Sequence, residues 1–186
     1  MDYRRFFVWL SLLLLVFSSL LLISCGTKLY STERVWRYDN PPQWKRRAPI
    51  KVMAAGDVLS VKESLDYWNR SVGCKLFEQI EHGEPDVVVL QGGNSGYAGS
   101  TDLVIVQDRP VSVIKIFNRG SDNIITAYLV LTHELGHALG LGHDTYLQRS
   151  IMYPYVIFDF MSDDWERPLP QITTADRNGV REKYCQ

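Results

Sequence analysis

Hydrophobic and polar positions change their pattern twice along the chain. A cationic head carrying Arg4 and Arg5 precedes a run from Phe6 to Ile23 that is apolar except for three serines. A head and core of this kind mark a secretory address, which is set aside from the fold. Residues 27–48, with Tyr-Asp-Asn-Pro-Pro and Lys45-Arg46-Arg47, show no sustained period and read as a tether, the basic triplet being a solvated stretch near the membrane. From Pro49 the pattern becomes that of a packed domain. Ile50–Ala54 predicts a short strand ending at Gly56-Asp57, and Ser60 with Glu63 three residues on has the form of a capping box. Val61, Leu65, Trp68 and Val72 then fall on one face of a helix that Gly73 closes.

The segment Cys74–Ile80 predicts a second strand, and the continuous apolar run Asp86–Leu90 a strand buried on both faces. Residues 92–96 are loop. Leu103–Val106 and Val111–Phe117, joined around Asp108-Arg109-Pro110, predict a hairpin. Asn118–Asn123 is a turn, with Ser121 or Asp122 as cap of the next helix. That helix, Ile124–Leu139, is apolar nearly all round and therefore central and buried. A last helix, Thr174–Tyr184, is capped by Thr173 or Thr174. Strands and helices interleave around a mixed sheet, which predicts one α/β-type domain over residues 49–186.

Composition narrows the function classes. Apolar residues make up 46% of the 186, and 20 basic against 21 acidic residues give a formal charge of −1. Without a basic excess there is no counterion-release drive toward DNA or RNA, and no nucleic-acid partner is expected. The small Ser24 before Cys25 resembles a bacterial lipobox, which implies a signal peptide over residues 1–24, lipidation of Cys25 and a membrane-anchored chain. The rival reading is an uncleaved span, since about 18 apolar residues just cross a bilayer. Either places the remainder in the cell envelope, outside the cytoplasm. Cys74 and Cys185 then share a compartment that permits disulfides, as a bridged pair or as two separate buried thiols.

The chemistry is concentrated in His133-Glu134-Leu135-Gly136-His137-Ala138-Leu139-Gly140-Leu141-Gly142-His143. Three of the four histidines of the chain fall in these eleven residues. On a helix, residues four apart stand one above the other, so His133 and His137 aim at one point. Glu134 is rotated by about 100° and lies beside a metal, placed as a base on a metal-bound water. Continued as helix, His143 would sit about 9 Å along the axis and on another face. The helix must therefore stop, and Gly140 stands where a left-handed residue could end it. Three imidazoles with one open position describe a catalytic zinc site better than a structural one. Ligand histidines must be neutral, so metal affinity and activity are expected to fall below about pH 6. His82, alone in Glu81-His82-Gly83-Glu84, reads as a surface residue.

This motif resembles that of the metzincin zinc endopeptidases, whose signature includes a downstream methionine turn. Ser150-Ile151-Met152-Tyr153-Pro154 supplies one, and Met152 would form a hydrophobic floor under the metal. The short return and Met-Tyr-Pro look most like the matrixins. That resemblance implies a zincin-like twisted five-stranded mixed sheet with an antiparallel edge strand, a buried active-site helix and a C-terminal helix. The edge strand, here Leu103, Val104, Ile105 and Val106, would pair with an extended polypeptide substrate. The chain departs from animal matrixins at Asp144 after the third histidine, at Val156 in place of a tyrosine, at Ala175-Asp176 in place of paired aspartates, and in lacking a second histidine cluster and a cysteine-switch propeptide. Calcium would follow from the likeness, but no convincing ligand set stands out. The expectation is a monomeric, membrane-tethered metalloendopeptidase with one catalytic zinc. The alternatives are a zinc-binding envelope scaffold and a cell-wall peptide amidase.

Overall fold

Residues 48–117, 123–154 and 168–185 are described by a computed structural model of the chain. The signal segment, Cys25, the tether up to residue 47, Ser121, Asp122 and Val156 lie outside the described residues. Among those that are described, the elements are β1 (Ile50–Ala55), α1 (Val61–Val72), β2 (Phe77–Gln79), β3 (Val87–Gln91), β4 (Gly99–Val106), β5 (Arg109–Ile116), α2 (Ile124–Ala138) and α3 (Thr174–Tyr184).

The five strands form one mixed sheet in the order β2-β1-β3-β5-β4. All neighbours are parallel except β4, which returns antiparallel on β5 and ends the sheet. The apolar positions of the strands share one face through the register Val52↔Val87 and Val89↔Ile114. They pack with Leu65, Trp68, Leu131, Leu135 and Met152 in a single core. The edge strand is longer than the sequence suggested, beginning at Gly99 and not at Leu103. Its turn is also earlier: Gln107 and Asp108 both take positive φ (49° and 61°), the two-residue turn that suits a right-twisted hairpin. Arg109 and Pro110 therefore belong to β5.

Tertiary partners override several local signals. Ser60 does not cap α1: it is left-handed, makes no side-chain cap bond, and donates its hydroxyl to the Ile124 carbonyl at 3.0 Å. The residue preceding α2 is Asn123, whose side chain accepts from the Thr126 N–H. The second strand is shorter than expected, Phe77–Gln79, and Asn69 on α1 pairs with both backbone groups of Phe77, at 2.8 and 3.0 Å. Thr173 forms a full capping box with Asp176. Trp68, fully buried, donates its indole N–H to the Thr132 carbonyl at 3.0 Å and so ties α1 to α2. Cys74, two residues past α1, is disulfide-bonded to Cys185 at the end of α3.

Candidate metal centre

The last two turns of α2 carry the first two histidines, and the chain leaves the helix by a defined route. Gly140 adopts φ 89°, and its N–H donates to the His137 carbonyl while that of Leu141 donates to Gly136. These are the paired bonds of a Schellman ending, which needs a left-handed residue where Gly140 stands. The returning strand of backbone presents the Leu141 carbonyl to His137 Nδ1 at 2.8 Å. His133 Nδ1 meets the Ile151 carbonyl, next to Met152, at 2.6 Å. A carbonyl can only accept, so both Nδ1 atoms carry the hydrogen and both Nε2 atoms keep a lone pair.

Those lone pairs converge. His137 Nε2 stands 3.0 Å from His133 Nε2 and 3.1 Å from His143 Nε2. A tetrahedral zinc with bonds of about 2.0–2.1 Å would set its nitrogens about 3.3–3.4 Å apart. Lone pairs this close suit a shared cation, and the donor set fits zinc. Among the described residues the trio is also the sole group of three or more His, Cys, Asp or Glu placed to hold a metal. His82 lies exposed in its loop.

Met152 is fully buried beneath the trio's helix, and its packing explains a second glycine. A Cβ at Gly136 would collide with the Met152 sulfur and stand 3.0 Å from its Cε and 3.4 Å from Trp68. The turn is held from both sides: Asp144 donates its N–H to the Met152 carbonyl, and Ile151 donates to Gln171. Asp144, the departure noted in the sequence, uses its carboxylate to accept from the N–H groups of Tyr146 and Leu147, which fixes the loop after His143.

Glu134 is buried at 6% exposure, with Oε2 2.6 Å from the Thr101 hydroxyl on β4. A Cβ at Gly99 would lie 2.8 Å from its other oxygen. Sequence reasoning missed both β4 residues, because contacts spanning more than thirty positions leave no local period; the glycine that opens a β-rich run was the available signal.

Burial governs the titration of the site. Desolvation pushes Glu134 up to about 7, with Asp102 adding to the rise and the Thr101 hydroxyl opposing it. Desolvation likewise holds His133 well below the ordinary imidazole value and lowers His137; His143 falls to about 4, with His137 adding to the effect. The neutral, metal-binding form therefore persists further into acid than the sequence suggested. Zinc loss on acidification, followed with a chelating dye, is expected to have its midpoint below about pH 6. Below the unfolded-state imidazole value of about 6.5 the three imidazoles bind more protons in the unfolded chain than in the folded one, and the raised Glu134 offsets part of this by holding a proton in the folded form. Stability of the zinc-free protein is therefore expected to decline as pH falls through that value toward about 4. A urea midpoint that stays constant over this range would contradict the burial of His133.

Residues 37–185 match the family model described as matrixin (Peptidase_M10). Matrilysin of Rattus norvegicus is 26% identical over 138 residues, covering 67% of this chain and 49% of matrilysin. The chain thus spans about half the length of this curated relative. Among solved structures, myroilysin superposes with a TM-score of 0.50 at 15% identity, covering 75% of this chain and 86% of that one. A chain of the GM1-bound ECX AB5 holotoxin gives 0.46 at 19% identity, with 71% and 78% covered. The chain belongs to the matrixin family of zinc metalloendopeptidases.

Proposed function

We propose that this chain is a membrane-tethered zinc endopeptidase that works as a monomer, hydrolyses peptide bonds in extended polypeptides outside the cytoplasm, and is anchored through a lipid on Cys25. The observation that carries the catalytic reading is the convergence of three imidazole Nε2 atoms beside a buried carboxylate, under a sheet edge with one neighbour. The anchor reading rests on the lipobox-like Ser24-Cys25 after the apolar run.

His133, His137 and His143 would hold the ion. When bound, zinc supplies Lewis acidity that brings a water's pKa toward neutrality and polarises the scissile carbonyl. Glu134 takes the water's proton on its carboxylate and passes it to the departing amine. The outer edge of β4, including Leu103, Val104, Ile105 and Val106, pairs with the substrate backbone by strand addition. Leu103 and Ile105 are 48% and 66% exposed there, which gives the edge apolar side chains to set against a bound peptide.

The test uses the full chain in membranes. Chelation is expected to abolish cleavage of denatured casein and stoichiometric zinc to restore it, with the N-terminal peptide starting at a lipid-modified Cys25. Cleavage that survives complete zinc removal refutes the catalytic reading, and an intact Met1 in the extracted protein refutes the anchor.

A further inference from the structure

Glu134 is held from outside its own helix. Residues two apart on a strand share a face, so Gly99 and Thr101 both point from β4 toward α2. Gly99 admits the carboxylate: a Cβ there would stand 2.8 Å from Oε1 and 2.9 Å from Cγ of Glu134, and 2.6 Å from Val130. Thr101 supplies a donor, its Oγ1 lying 2.6 Å from Oε2 and 3.0 Å from the Glu134 carbonyl. One carboxylate oxygen is thus bonded by this strand, and the other lies in the space that its glycine leaves open.

A buried carboxylate without a donor is costly, and a glutamate has three side-chain torsions to fix. The Thr101 hydroxyl answers both needs. Its one proton goes to Oε2, the nearer acceptor, and the Glu134 carbonyl lies 3.0 Å from the same hydroxyl oxygen, so the side-chain tip is held close to its own helix. The strand that would receive the substrate is the strand that holds the carboxylate, which gives the peptide bond and the base one common frame. Orientation of this kind is worth large factors in rate, because a displacement of about 1 Å costs up to about 100-fold.

We propose that Thr101 is a positioning residue for hydrolysis, its hydroxyl fixing the Glu134 carboxylate against the edge strand. This rests on the reading of Glu134 as the base. The experiment compares Thr101→Val, Thr101→Ser and Glu134→Gln in the zinc-loaded full chain. Thr101→Val is expected to lower kcat by about 10- to 100-fold with KM within about twofold and zinc content unchanged. Thr101→Ser, which keeps the hydroxyl, restores most of kcat.

A second readout needs no catalysis. In zinc-free protein, Thr101→Val lowers the urea midpoint when Glu134 is present and shifts it by less than about half as much in a Glu134→Ala background. Wild-type kcat in Thr101→Val beside an inactive Glu134→Gln overturns the proposal, as does a serine variant no better than valine, or equal midpoint shifts in both backgrounds. Full activity of Glu134→Gln overturns the underlying reading instead.

Discussion

Glu134→Gln is expected to retain one zinc per chain and to lose activity by about 10²- to 10⁴-fold in kcat/KM, the usual worth of a positioned general base. The substitution isolates proton transfer. Glutamine has the shape of glutamate, and its amide oxygen still accepts from the Thr101 hydroxyl that lies 2.6 Å from Oε2. The three imidazoles are untouched, with the His133 and His137 Nδ1 atoms still bound to the carbonyls of Ile151 and Leu141. What glutamine cannot do is take a proton. His137→Ala is the contrasting variant, because it removes the nitrogen that neighbours both other Nε2 atoms and should lose zinc and activity together. A glutamine variant with undiminished hydrolysis would remove Glu134 from the reaction. Wild-type and variant proteins that both bind zinc and are equally inert would favour a metal-holding scaffold.

How much of this site could be read in advance follows from the range of the interactions that build it. The spacing of His133 and His137 is local, since one helical turn brings them together, and the ending at Gly140 is local for the same reason. The α1 face of Val61, Leu65, Trp68 and Val72 is periodic, and all four are buried. Ser60 misled because its best partner is the Ile124 carbonyl, 64 positions away, and that bond turns a capping signature into a left-handed residue. The need for glycine at 136 comes from the Met152 side chain packed against it, 16 positions further along the chain. Thr101 had no signal, because a threonine in a strand is unremarkable until the helix that packs on it is known. Short-range geometry declares the ligands, whereas what holds the base is written in tertiary contacts.

Replacing both bridging cysteines by serine is expected to produce the largest loss of stability of any change distant from the metal. The bridge closes a loop between positions 111 apart, for which chain entropy in the unfolded state predicts about 4–5 kcal/mol, and loss of native bridges typically costs about 2–5 kcal/mol. Its placement carries the effect toward the site. Cys185 follows Tyr184, a buried residue whose hydroxyl donates to the Leu139 carbonyl at 3.0 Å. Leu139 is the last residue before the left-handed Gly140, so α3 braces the point at which the chain turns back toward His143. Freeing the end of α3 from Cys74 loosens that brace. The Cys74→Ser/Cys185→Ser variant should therefore show a lower urea midpoint and weaker zinc binding, the second because His137 is oriented by the Leu141 carbonyl just past the turn. Zinc stabilises only the folded form, so saturating metal should recover part of the lost midpoint in the variant. Coincident midpoints of oxidised wild type and the double variant would show that the bridge does not brace the domain, and unchanged zinc affinity beside a lowered midpoint would show that the bracing stops short of the metal.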